Sequence, residues 1–173
     1  MSYLKHRFVC LLVAVAAGTV SLSAQQLDIK AIMVKHLKTS RDFSLKVAEQ
    51  MPEASYDFKL TPPQMSFAEQ MIHLSQSLGF FLGPMSGEKA SQAKPASKSK
   101  KDVIAFMTKS YDNAIEQVSK LTHEQLAKTY KSEEGSMTGL ELLMGMMDHT
   151  THHRASAEMY LRAKGITPTE YQF

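Results

Sequence analysis

Tryptophan is absent, cysteine occurs once, and glycine and proline are sparse at eight and six of 173 residues. So little glycine and proline excludes collagen-like and Pro/Gly-rich low-complexity character. A single cysteine allows no internal disulfide. Charge of one sign is also scarce. Twenty basic residues against seventeen acidic ones are too small an excess for a chain that neutralises many phosphates, so nucleic acid is not an expected partner. Nucleotide and acyl-transfer signatures are missing: there is no Gly-x-Ser-x-Gly elbow, phosphate loop or dinucleotide fingerprint. What remains is a composition of 43% hydrophobic and 21% charged residues, ordinary for one globular domain with one core.

Residues 1–24 do not belong to that core. Lys5 and Arg7 give a basic start, Phe8 to Ala17 is an unbroken apolar run, and small residues follow up to Ala24. This is the order of a secretory signal peptide, and the run is shorter than the ~20 residues of a membrane-spanning helix. The expected product, residues 25–173, is exported to the periplasm or secreted. It carries a formal +1 instead of +3, because two of the twenty basic residues leave with the leader. Cys10 leaves too, so the product has no disulfide, thiolate ligand or cysteine nucleophile. No remaining run predicts stable membrane insertion.

Helical periodicity organises the rest. Ile29, Met33, Leu37, Phe43, Val47 and Met51 mark a first helix from about Gln26, stopped by Pro52. Pro62 and Pro63 keep the following segment extended. Ser66 and Glu69 form a capping box that opens a second helix to about Leu82, with Phe67, Met71, Leu74, Leu78 and Phe81 on one stripe. Residues 83–101, rich in Ser, Lys, Ala, Gly and Pro, read as a flexible linker. A third helix fits Asp102 to Lys120, and Thr122 with Gln125 caps a short turn. A last helix runs from the Thr138/Glu141 capping box to the C-cap glycine Gly165. No long period-two stretch predicts a central strand. The fold class is all-α, a four-helix bundle after the cleavable leader.

Six histidines remain after the leader. His149 and His153 are four apart, one turn apart on one helix face, the spacing by which a helix presents two imidazoles to one metal ion. His73, in the middle of the second helix beside Glu69, Gln70 and Gln76, is the best third ligand. Three imidazoles leave an open position for water or substrate. His152 points about 100° away from His153, towards the rim. His36 lies in a helix interior and is the weaker alternative ligand; His123 sits in an N-cap segment and is expected in solvent. A zincin is excluded because Thr150, not Glu, follows His149. A carboxylate di-iron site is excluded because Glu69 and His73 stand at the wrong spacing for Glu-x-x-His. Met144, Met146 and Met147 near the cluster offer soft copper ligands or, more simply, core filling.

The second helix, SFAEQMIHLSQSLGFFL, and the closing DHTTHHRASAEMYLRAKGITPTEY resemble the DinB-like (DinB/YfiT) metalloenzyme family. Its last helix typically reads His-x3-His-Arg-Gly-Gln and runs into Tyr-Leu-Arg-x-x-Gly. His149, His153, Arg154, Tyr160, Arg162 and Gly165 match that pattern; Ala155-Ser156 replaces the usual Gly-Gln. The resemblance spans roughly Leu27 to Tyr171. It implies an up-down-down-up bundle with His73, His149 and His153 as a metal triad. It also implies a divalent ion, zinc first and nickel or iron as alternatives, and in some members transfer of a low-molecular-weight thiol.

The functional expectation is an exported metal-binding protein with a three-histidine site and an open position, acting as a metal-dependent hydrolase or transferase on an unidentified small molecule. The alternatives are a non-catalytic metal- or ligand-binding envelope protein and a scaffold with a vestigial site. Arg154 is expected in a salt bridge on the outside of the helix, or else orienting an anionic substrate. Tyr160 is a candidate pocket wall or proton donor, and Glu69 the one acid to consider as a base. A homodimer through the bundle faces is compatible with this pattern.

Overall fold

The computed structural model describes residues 28–87, 93–132 and 135–172; residues 1–24, expected from the sequence to be a leader, lie outside them. Its elements are α1 (Ile29–Gln50), α2 (Phe67–Ser86), α3 (Lys100–Lys120), the short α4 (His123–Ala127), strands β1 (Thr129–Ser132) and β2 (Gly135–Thr138), and α5 (Gly139–Ala163).

Side-chain caps fix where the helices begin. Asp28 accepts from the Ala31 amide at 3.0 Å. The three capping boxes at Ser66/Glu69, Thr122/Gln125 and Thr138/Glu141 all close reciprocally, each cap being worth about 1 kcal/mol. Met33, Leu37, Phe43 and Val47 of α1 meet Met71, Leu74 and Leu78 of α2, Val103, Met107 and Val118 of α3, and Leu142, Met146 and Leu161 of α5 in one apolar core.

Cross-helix contacts give the directions. Arg41 pairs with Asp112 at 2.8 Å, and Lys100 donates to the Met51 carbonyl at 2.9 Å, so α1 and α3 run antiparallel. Lys98 meets Glu69 at 2.7 Å, bringing the starts of α2 and α3 together in parallel. Arg154 reaches Ser40 while Gln50 reaches Thr167, so α5 runs parallel to α1. The order is therefore up-down-down-up, with α1 and α2 each packed on α3 and α5.

A flexible linker over residues 83–101 needs correction at both ends. Helix α2 continues through Pro84 to a left-handed cap at Gly87, φ 72°. Pro84 removes one hydrogen bond in the last turn, but the continuation seats Met85 in the core at 6% exposure. At the other end Ser99, which accepts from the Asp102 amide at 3.2 Å, starts α3 at Lys100. Between them, Ala93 accepts from the Gln76 side chain at 3.0 Å and Lys98 is paired to Glu69, so residues 93–99 are strapped to α2. Residues 88–92 lie outside the described part.

The hairpin β1–β2 was not anticipated from the sequence. Four-residue strands give too short a period-two signal to read. Tyr130 stands opposite Met137 and donates its hydroxyl to the Gln125 carbonyl at 3.1 Å, joining hairpin to α4. Gly139 starts α5 hard against α4: a Cβ there would collide with the Gln125 carbonyl oxygen. Past α5, Gly165 takes φ 74°, the amide of Ile166 returns to the Leu161 carbonyl at 2.9 Å, and the tail runs back along α1. Among the described residues, no helix is long and apolar enough to cross a membrane.

Candidate metal centre

Because α2 and α5 are antiparallel neighbours, the middle of one faces the middle of the other. His73 projects from α2; His149 and His153 are stacked on α5. The Nε2 atoms of His73 and His149 are 3.1 Å apart. Ring centroids are 4.5 Å apart for His73–His153, 4.5 Å for His149–His153 and 5.0 Å for His73–His149. One ligand nitrogen from each residue falls within 4.8 Å of the others.

The donor chemistry fits a metal ion. Two nitrogens at 3.1 Å either share one proton or turn both lone pairs towards a common cation. Ligands held tetrahedrally at about 2.0–2.1 Å lie some 3.3–3.4 Å apart, close to the separation already present. Two of the imidazoles, His73 and His153, are also biased towards the neutral form that ligates. Burial lowers the pKa of His73. Burial, then the proximity of His73, His149 and His152, lowers that of His153 to about 4.

Gln70, one turn before His73, completes the geometry. Its side-chain oxygen lies 2.6 Å from Nδ1 of His153. A carbonyl oxygen only accepts, so Nδ1 carries the proton and Nε2 keeps its lone pair for a ligand. Sequence reasoning noted Gln70 as a polar neighbour of His73 and missed this role. The signal was there: a polar residue at i−3 from a mid-helix histidine lies on the same face. Gly145 is a second unread contributor. A Cβ at that position would sit 3.0 Å from the Phe81 ring, and Phe81 in turn packs edge-on to His149 at 5.8 Å. The missing side chain admits the ring that buttresses the ligand.

Other candidates fall elsewhere. His152 is exposed on the rim and His123 is exposed on α4, while His36 is half-buried on α1, outside the cluster. Glu69 is consumed by its capping box and by Lys98 at 2.7 Å and Lys59 at 3.9 Å. Lys98 first, then the Ser66 amide, hold its carboxyl down to about 2, which makes it a feeble base. Tyr160 is buried and donates its hydroxyl to the Met65 carbonyl at 2.5 Å, anchoring the segment before α2. Arg154 corrects the expectation of an outside salt bridge. It is buried at 6% exposure, its guanidinium is 4.5 Å above the Phe43 ring, and it donates to Ser40 at 3.1 Å. Arg154 follows His153 by one residue, so it is turned by about 100°, towards α1. Met146 is wholly buried in the core and Met144 is 57% exposed.

The fold and site define a four-helix bundle with a three-histidine cluster, able to hold a metal ion, between its second and last long helices. A sequence model of the DinB family matches residues 24–173, and the chain belongs to that family. It is 24% identical over 139 residues to the YjoA protein of Bacillus subtilis (strain 168), covering 78% of this chain and 90% of YjoA. The crystal structure of YjoA, a DinB-like protein, superposes with a TM-score of 0.70 over 81% of this chain and 96% of that one. A DinB-like protein from Bacillus cereus ATCC 10987 superposes with a TM-score of 0.71 at 17% identity, covering 80% of this chain and 95% of its own. At these identities the structural likeness speaks for the fold.

Proposed function

We propose that this protein is an exported DinB-family metalloprotein in which His73, His149 and His153 hold one divalent ion and leave a position open for a small-molecule substrate. The observation that carries the reading is the convergence of three imidazoles from two helices within 4.8 Å. An all-nitrogen donor set suits zinc, with nickel or iron as alternatives. When bound, such an ion supplies Lewis-acid polarisation and lowers the pKa of a water or thiol in the open position. The reaction class is metal-dependent hydrolysis or group transfer. Here the chain's own groups have defined tasks: His73 and His149 face one another, Gln70 fixes the tautomer of His153, and Phe81 shields His149.

The leader pattern of residues 1–24 supports placement in the periplasm or outside the cell. Elemental analysis of residues 25–173, purified without an affinity histidine tag, tests the metal site. About one equivalent per chain in the wild type, lost in His73→Ala and in His149→Ala, is the expected result. A wild type that neither carries nor takes up zinc, nickel, iron or copper would leave the bundle as a scaffold with a vestigial site.

A second reading is favoured by one observation. Among the described residues the cluster contains no carboxylate, and Glu69 is engaged by two lysines. A site without its own general base is also what a non-catalytic metal- or ligand-binding envelope protein would have. A ligand-exchange measurement separates the two: an exchangeable water on the bound ion supports the enzyme, a closed coordination shell the carrier.

A further inference from the structure

A cavity of about 590 Å³ borders the cluster through His73. Its size is within the range of small-molecule sites. Met65 and Ile72 give it apolar wall, and Lys59, Lys94 and Lys98 converge on it from two separate segments, the stretch before α2 and the strap before α3. Among the described residues, the only acid lining it is Glu69. That carboxylate is taken by Lys98 at 2.7 Å, with Lys59 more distant at 3.9 Å, and by the Ser66 amide at 2.7 Å. Lys94 makes no ion pair among the described residues. Among the described lining residues, three cations against one neutralised acid leave an excess of two positive charges. The chain as a whole has an excess of only three, so the positive charge is concentrated beside His73.

From this geometry we infer that the cavity receives a small amphipathic organic anion, its carboxylate or phosphoryl group held by Lys59 and Lys94 and its apolar part against Met65 and Ile72. This names the substrate class of the metal site and rests on that reading. The lysines position the anion; the apolar wall leaves the other end of the molecule beside His73. Lys98 is already compensated, so its task is to hold the strap to α2. One carboxylate cannot neutralise both Lys98 and Lys59, so Lys94 and the more distantly paired Lys59 carry the excess charge, and a bound anion would be attracted more strongly at low salt.

The test uses 4-phenylbutyrate against its neutral counterpart 4-phenylbutanol, titrated by calorimetry into residues 25–173, both metal-free and zinc-loaded. In the metal-free protein no cation but the side chains can favour the acid. The expected result is binding of the acid at least roughly tenfold tighter than the alcohol, the scale of one charge-assisted hydrogen bond, and weakening with added salt. Lys59→Glu/Lys94→Glu abolishes that preference, while the equal charge change Lys35→Glu/Lys38→Glu, on exposed positions of α1, keeps it. Equal binding of acid and alcohol, binding of neither, or a preference that survives the Lys59/Lys94 reversal overturns the inference. The wild-type comparison decides alone if the reversal does not fold. Failure of the protein to take zinc while the acid is still preferred defeats the metal reading and leaves the anion site standing.

Discussion

Gln70 on α2 accepts a hydrogen bond from His153 on α5 across 2.6 Å, and the bond is buried. It does two things at once: it satisfies a polar amide in the core and decides which nitrogen of His153 faces His73 and His149. Loss of such an outer-shell partner typically lowers metal affinity 10- to 100-fold. Gln70→Ala is therefore expected to weaken zinc binding by roughly that factor while His149→Ala removes it. Gln70→Glu, which keeps an acceptor, recovers most of the affinity. Competition with a chromophoric chelator measures all three, and unchanged affinity in Gln70→Ala would remove Gln70 from the site.

Acid should unfold the metal-free protein in a defined window. The pKa of His153 falls from 6.5 to about 4 on folding, and that of His73 moves in the same direction. Between those values the unfolded chain binds more protons than the folded one, so stability falls as pH drops from about 6.5 towards 4. Glu69 contributes in the same direction but later, since its carboxyl goes from 4.5 to about 2 and its stabilisation is intact above pH 4.5. Urea midpoints of the metal-free protein at pH 7.5 and 5 should differ, and His153→Ala should flatten the difference. The zinc-loaded protein loses its ion in the same window, because protons compete for the same nitrogens.

Two glycines in α5 separate stability from metal binding. At Gly139 the obstacle to a side chain is a backbone carbonyl, that of Gln125, which cannot move without shifting α4. Overpacking against backbone is expected to cost Gly139→Ala about 1–3 kcal/mol, seen as a lowered urea midpoint with metal stoichiometry unchanged. At Gly145 the obstacle is the Phe81 ring at 3.0 Å, which can give way, and alanine is the better helix former by up to about 1 kcal/mol. Gly145→Ala should therefore leave stability nearly unchanged and alter zinc affinity through the Phe81–His149 contact. Equal effects on both properties at both positions would contradict this division.

The bundle was legible because its signals are local. Capping boxes at Ser66, Thr122 and Thr138 and the stripes of Met, Leu and Phe need only a few neighbouring residues to be read. The His149/His153 pair was legible for the same reason, being one turn of one helix. What escaped depends on other elements. Gln70 acquires its role only once α5 lies opposite α2. The continuation of α2 through Pro84 depends on a place in the core for Met85, and hairpin β1–β2 on the support that Tyr130 finds on α4. Arg154 was misplaced because a charged residue in a helix is usually solvated, and its burial depends on the Phe43 ring and Ser40 hydroxyl that α1 supplies.

That buried arginine gives a prediction about what holds α1 to α5. Arg154 donates to Ser40 at 3.1 Å, and Ser40 and Ser44 flank the Tyr111 hydroxyl at 3.0 and 3.1 Å, so one polar network joins α1, α3 and α5. Among the described residues no acid is paired with Arg154. Replacing it therefore orphans no buried carboxylate, the usual source of large losses when an ion pair is cut. Its value is then mostly packing: the guanidinium on Phe43 and the buried stem. Arg154→Ala should cost about 2–4 kcal/mol through the cavity it leaves, whereas Arg154→Met, which refills the space, should cost less than half as much. Tyr111→Phe should cost about 1 kcal/mol for its lost hydrogen bonds. None of the three should change zinc stoichiometry. Chemical denaturation with parallel metal analysis checks this. A loss in Arg154→Met as large as in Arg154→Ala would mean that the charge itself is required, and that an anionic partner of Arg154 remains to be found.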